Sequence, residues 1–213
     1  MSLKSALATF VGKSSYVVLH DILRRGGTSL PGKLATKIDP EVMTTLAEKY
    51  DVILITGTNG KTLTTTLTTR VLREQFPDVI TNPSGSNMMQ GITGTMLTAK
   101  VTGKSHRPIA LLEVDEANVE EVARQLKPMA FVLTNIFRDQ LDRFGEIYTT
   151  YDKILKGIRL FPEATVIANA DSPIFMRGDL PNPKVYYGFN HLPADGDMKA
   201  PHNTDGVLSP TDD

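Results

Sequence analysis

Residues 51–62 limit the fold more tightly than any other stretch of the sequence. Asp51-Val52-Ile53-Leu54-Ile55 is a nearly unbroken apolar run, and Thr56-Gly57-Thr58-Asn59-Gly60-Lys61-Thr62 follows it directly. A run this short and this rich in β-branched residues reads as a strand buried on both faces, since a half-wet strand would alternate. The glycines permit a tight loop, and the Thr- and Leu-rich stretch beyond Lys61 reads as a helix. Further apolar runs occupy Ile109 to Val114, Ala130 to Leu133 and Thr165 to Ala168, with weaker ones at Val79-Ile80 and Val185 to Tyr187. Helix-length segments separate them. The expected fold class is α/β, with a mostly parallel sheet carrying helices on both faces.

The N-terminal part has a different rhythm. Leu3, Leu7, Phe10, Val11, Val18, Ile22 and Leu23 recur at helical spacing until Arg24-Arg25-Gly26-Gly27 stops the pattern. Thr28 to Lys33 reads as a loop. Asp39-Pro40 reads as the N-cap and first-turn proline of a short helix ending near Lys49. The segment from Asn190 to Asp213, rich in Pro, Asp, Gly and Asn, reads as loop or frayed end. Three parts are expected: a helical lead-in over 1–50, a central domain over 51–190, and a tail over 191–213.

The glycine loop has chemistry of its own. Its backbone amides, with the first-turn N–H groups of the following helix, would cradle phosphate oxygens. Lys61 supplies a full positive charge to the terminal phosphates, and Thr62 places a hydroxyl where a bound Mg²⁺ needs an oxygen ligand. The general phosphate-loop pattern has glycine five residues before Gly60, where this chain has Ile55. A plain strand-to-helix turn with a fortuitous Gly-Lys-Thr is the competing reading.

Charge makes that local chemistry necessary for any phosphate ligand. The net charge of -1 over 213 residues provides no global field for nucleic acid or an anionic membrane. The absence of cysteine removes disulfides, thiolate zinc sites and cysteine nucleophiles. No run approaches the roughly 18 apolar residues of a membrane span, so no transmembrane segment is expected. The chain reads as soluble and intracellular.

A second cluster stands where a phosphate loop would need it. Ile109-Ala110-Leu111-Leu112-Glu113-Val114-Asp115-Glu116 is a strand ending in three carboxylates. Strand C-terminal ends line the ligand crevice of open α/β sheets, so these acids would hold Mg²⁺ against a triphosphate. Capping of the next helix is the alternative, above all for Glu116. A third segment, Thr134-Asn135-Ile136-Phe137-Arg138-Asp139-Gln140-Leu141-Asp142-Arg143, again follows a strand.

Thr-Gly-Thr-Asn-Gly-Lys-Thr resembles the nucleotide loop of the Mur ligase superfamily, in which ATP phosphorylates a carboxylate and an amine attacks the acyl phosphate. The resemblance implies that Thr58, Asn59, Gly60, Lys61 and Thr62 bind ATP, with Lys61 and Glu113 catalytic. It implies Thr62 and Glu113 as Mg²⁺ ligands. Most family members carry Asp-His-Leu-Asp where this chain has Asp139-Gln140-Leu141-Asp142, the histidine serving a second metal site. Gln140 can offer an oxygen to Mg²⁺ but cannot titrate near neutral pH. Asn87, with Ser84 behind it, matches the loop that faces the γ-phosphate in relatives; tight-turn use of Asn and Gly is the alternative. Asn169 and Asp171 resemble an Asn-Ala-Asp-Asp element that contacts the nucleoside, or they could be helix N-caps.

Arg138 to Arg143, the short lead-in and Gly27 to Lys33 are most similar to the ligase-like subunits of lipid II isoglutaminyl synthases, a branch of that family. This implies ATP-dependent activation of the α-carboxyl of D-isoglutamate in the lipid II stem peptide. Ammonia would come from a GatD-like glutaminase, at the inner face of the membrane. In that branch a C-terminal domain, expected beyond Asp213, carries an assisting aspartate and the glutaminase surface. A four-cysteine zinc ribbon is usual there too, and near Gly206 to Pro210 this chain has no cysteine for it. Folylpolyglutamate synthase or another Mur ligase adding an amino acid is an alternative. An ATP-binding module without turnover is another.

Overall fold

The computed structural model describes residues 2–22, 24, 27–83, 85–102, 107–137, 146–177 and 179–189. Helices α1 (Leu3–Val17), α2 (Ser29–Ile38) and α3 (Val42–Ala47) precede strand β1 (Asp51–Thr56). Then come α4 (Lys61–Arg73), β2 (Val79–Ile80), α5 (Met89–Thr98), β3 (Ile109–Glu113), α6 (Val119–Leu126) and β4 (Ala130–Leu133). Helix α7 (Glu146–Arg159), β5 (Thr165–Asn169) and β6 (Lys184–Tyr187) complete the order. The six strands form one sheet in the order β2-β3-β1-β4-β5-β6. Every pairing is parallel.

The continuous apolar runs are explained by two covered faces. Val52, Leu54, Ala110, Leu112, Phe131, Leu133, Val166 and Ala168 point into one core, shared with residues of α3, α5, α6 and α7. Ile55, Val79, Ile109 and Leu111 point the other way, against Leu72 of α4 and Phe76 just beyond it. Helix α4 thus lies on one face of the sheet and its sequential neighbours on the other. Strand β1 is followed by α4, whereas β3 beside it is followed by α6. Between their carboxyl ends the connections part to opposite faces, which opens the crevice where α/β sheets bind ligands.

The lead-in is more helical than its sequence suggests. Thr28 to Lys33 is not a loop: α2 starts at Ser29, with Pro31 in its first turn, where a missing N–H costs nothing. What overrides the Pro-Gly signal is packing. A Cβ on Gly32 would stand 1.9 Å from the Gln90 carbonyl oxygen, and one on Gly94 1.8 Å from that of Thr28. Bare backbone lets α2 and α5 touch. Asp39 is no N-cap of α3 either. It is buried at the end of α2, accepting hydrogen bonds from Ser5 Oγ and the Glu41 amide. The first helix keeps α-geometry to Val17 and then makes a π turn over Val18–Ile22. It buries its small residues, Ser5, Ala8 and Gly12, while Leu3, Leu7 and Phe10 remain exposed.

The α2–α5 contact gives a first expected result. In an isolated helix Gly94→Ala would stabilise by about 1 kcal/mol. Here overpacking should reverse the sign and cost about 1–3 kcal/mol, read as a lower denaturation midpoint in urea.

Candidate active site

The glycine loop takes its shape from its neighbour on the sheet. Gly57 has φ 132° and Gly60 φ 79°, both in the region that side chains avoid. A Cβ on Gly57 would also lie 2.3 Å from Thr134 Oγ1. After β4, Asn135 fastens the loop three ways. Its carbonyl accepts the Thr58 amide at 2.8 Å, its Oδ1 accepts the Asn59 amide at 2.9 Å, and its Nδ2 donates to the Asn59 carbonyl at 3.0 Å. Thr134 Oγ1 donates to the same carbonyl, and Thr58 Oγ1 accepts the Phe137 amide. The backbone amides of Thr58 and Asn59 thus fix the loop. The first-turn amides of α4, at Lys61 and Thr62, have no intrahelical acceptor, the usual condition for an anion site at a helix N-terminus.

Lys61 curls back over this loop. Its Nζ donates to the carbonyls of Gly57 and Thr58, and Glu116 Oε2 lies 3.6 Å away with both side chains largely buried. Glu116 is therefore an ionic partner of Lys61. Asp115 is the cap, its carboxylate accepting the Ala117 amide at 3.0 Å.

Glu113 points to the α4 side because it follows Ile109 and Leu111 in the alternation of β3. It is 3% exposed, and Thr62 Oγ1 donates to its Oε2 at 3.0 Å. Its main chain is clamped by Asn82, whose Oδ1 accepts the Glu113 amide and whose Nδ2 donates to the Glu113 and Ser86 carbonyls. The Asn87 carbonyl accepts the Asp115 amide at 3.1 Å, so the loop after β2 is held against the end of β3. A hydroxyl and a carboxylate are hard oxygen donors suited to Mg²⁺, which keeps several waters and leans on phosphates for the rest. Among the described residues no cluster of three His, Cys, Asp or Glu forms a protein-only metal cage. Thr62 and Glu113 thus fit an ion shared with phosphates. Ser84 and Gln140 lie outside the described residues.

Asn169 and Asp171 close the far side. Asn169 Nδ2 donates to the Thr134 carbonyl, which links it through Thr134 to the glycine loop. Its Oδ1 accepts the Asp171 amide, while the Asp171 carboxylate accepts the amide of Phe189. Neither caps a helix; the 3-10 turn over Pro173–Met176 starts from Ser172. Beside them, burial and then the Asp171 carboxylate push the Tyr187 hydroxyl pKa above its ordinary value. Asn82 and Asn135 organise the site and were not among the residues expected from sequence.

A strand-fed glycine loop, an invading lysine and a buried strand-end glutamate are now in one place. The Mur ligase middle domain matches residues 55–207 of this sequence. The chain belongs to the Mur ligase family. Over 210 residues, 99% of its length, it is 49% identical to the lipid II isoglutaminyl synthase (glutamine-hydrolyzing) subunit MurT of Streptococcus pneumoniae, covering 46% of that protein. The Staphylococcus aureus (strain N315) subunit of the same name is 40% identical over 76% of this chain and 37% of its own length. The chain thus spans less than half of these curated relatives. Among solved structures, the MurF ligase of Thermotoga maritima in complex with ADP superposes with a TM-score of 0.58 at 19% identity. The match covers 72% of this chain and 36% of that one, and it shows that the fold is shared with Mur ligases. Among the described residues no helix is long and apolar enough to cross a membrane.

Proposed function

We propose that residues 51–190 form an ATP-binding central domain and that residues 1–50 are a lead-in braced against it. The observation that carries this is the meeting of Lys61, Thr62, Glu113 and Glu116 at the β1–β3 crevice. The amides of Lys61 and Thr62 receive phosphate oxygens, and the Lys61 ammonium moves from the loop carbonyls onto the terminal phosphates. Thr62 and Glu113, with Gln140 as a further oxygen donor, would hold Mg²⁺, which would offset phosphate charge. Asn87 faces the γ-phosphate, and Asn169 and Asp171 face the nucleoside.

The names of the relatives support the following reaction. In the whole protein, the α-carboxylate of D-isoglutamate in the lipid II stem peptide attacks the γ-phosphorus of ATP, and ADP leaves. Ammonia from a GatD-like glutaminase partner then forms the C–N bond as the C–O bond to phosphate breaks. One proton passes from nitrogen to the departing phosphate, leaving D-isoglutamine. The site works in the cytoplasm, at the inner face of the membrane, where lipid II presents its peptide. Lys61 stabilises charge on the transferred phosphoryl group.

Mass spectrometry of lipid II incubated with the whole protein, the glutaminase, glutamine and ATP tests this. The expected product has one carboxyl converted to an amide. A product heavier by an amino acid would replace the proposal with an amino-acid ligase.

A further inference from the structure

Helix α4 is amphipathic the wrong way round. It exposes Leu63, Leu67 and Val71 and buries Thr65 and Thr69, which are 2% and 5% exposed. Buried hydroxyls normally find a partner, and a helical threonine can always use the carbonyl one turn back, as Thr66 does with Thr62. Thr65 Oγ1 and Thr69 Oγ1 do not: they have no hydrogen-bond partner among the described residues, and neither does Thr81 Oγ1 facing them from the end of β2. All three line a recess of about 230 Å³ between α4 and the edge of the sheet. Arg70 and Arg73 line it too, and Thr62 and Glu113 stand at its active-site end. Arg73 is steadied there by donating to the Val79 carbonyl at 3.0 Å.

We infer that this recess is a binding site for a small tetrahedral oxyanion, and that its occupant is the phosphate released when the acyl phosphate is consumed. Two guanidiniums against one carboxylate leave the lining net positive, and guanidinium matches an oxyanion geometrically. The Thr65, Thr69 and Thr81 hydroxyls, closed from solvent and without acceptors, reach the ion by turning about χ1, which exchanges oxygen and methyl positions at nearly constant volume. The volume suits one small ion and excludes a nucleotide. The recess opens beside Thr62 and Glu113, where the transferred phosphoryl group ends its path. The choice of phosphate rests on the proposed function; the anion site itself does not.

Calorimetric titration of inorganic phosphate into the full chain saturated with Mg·ADP tests this, because the nucleotide occupies the glycine loop. One phosphate per chain is expected, weakened roughly tenfold by Arg70→Gln and similarly by Thr69→Val. Thr69→Val removes a hydroxyl at nearly constant volume, so folding is retained. If it raises Tm and leaves phosphate affinity unchanged, the recess is structural and the inference falls. Acetate binding as tightly as phosphate would overturn the phosphate assignment in favour of a carboxylate. In nucleotide-free Lys61→Ala, phosphate binding that survives supports the recess, and binding that disappears places the anion on the glycine loop and overturns it. Should Mg·ADP fail to bind the unmodified chain while Lys61→Ala still takes phosphate, the ATP reading fails and the anion site stands.

Discussion

Lys61→Ala is expected to weaken Mg·ATP binding at least tenfold, about 1.4 kcal/mol, by equilibrium titration. The ammonium sets a full positive charge against the glycine loop, and its present partners are replaceable. It donates to two loop carbonyls and lies 3.6 Å from Glu116. Phosphate offers it a stronger, doubly charged partner in the same place. Removing it also leaves Glu116, 15% exposed at its side chain, facing the incoming phosphates without a counter-ion. Both consequences act in the same direction. The fold should be little affected, since the pair does not belong to either apolar core.

Glu113→Gln should have the second large effect, and a different signature. Glutamine keeps the volume of a residue that is 3% exposed and can still accept the Thr62 hydroxyl, so stability should change little. The negative charge proposed to hold Mg²⁺ is lost. The Mg²⁺ concentration needed for half-maximal ATP binding should therefore rise at least about tenfold, while affinity for metal-free ATP stays level or improves. Equal loss with and without metal would mean that Glu113 acts on the nucleotide some other way.

Much of this architecture is legible before any coordinates. Four strands announce themselves as continuous apolar runs because both faces of the sheet are covered, and Gly57 and Gly60 mark the loop because φ there is positive. The edge strand β6 is exposed throughout and correspondingly faint in the sequence. The helix at Ser29 is hidden because Pro31-Gly32 imitates a turn. Its true cause is a contact with Gln90 and Gly94, far along the chain. The clamps made by Asn82 and Asn135 leave no spacing signal, since Asn82 works through the backbone of Glu113 and Asn135 through that of the glycine loop, both far away in sequence. Glu116 shows the same limit. Its sequence permits a helix cap or an ion partner, and only the distance to Lys61 separates them.

The inverted face of α4 is the sharpest case. Thr62, Thr65 and Thr69 share one side of the helix, yet composition alone would have buried Leu63 and Leu67 instead. That choice is explicable when the recess has a polar task beside the glycine loop.

The most direct test of the central claim is a calorimetric titration of ATP into the full chain, with Mg²⁺ and with a chelator. A Mg·ATP site at Lys61, Thr62 and Glu113 predicts saturable binding of one nucleotide per chain, strengthened by Mg²⁺. Absence of binding, or binding indifferent to the metal, would contradict it.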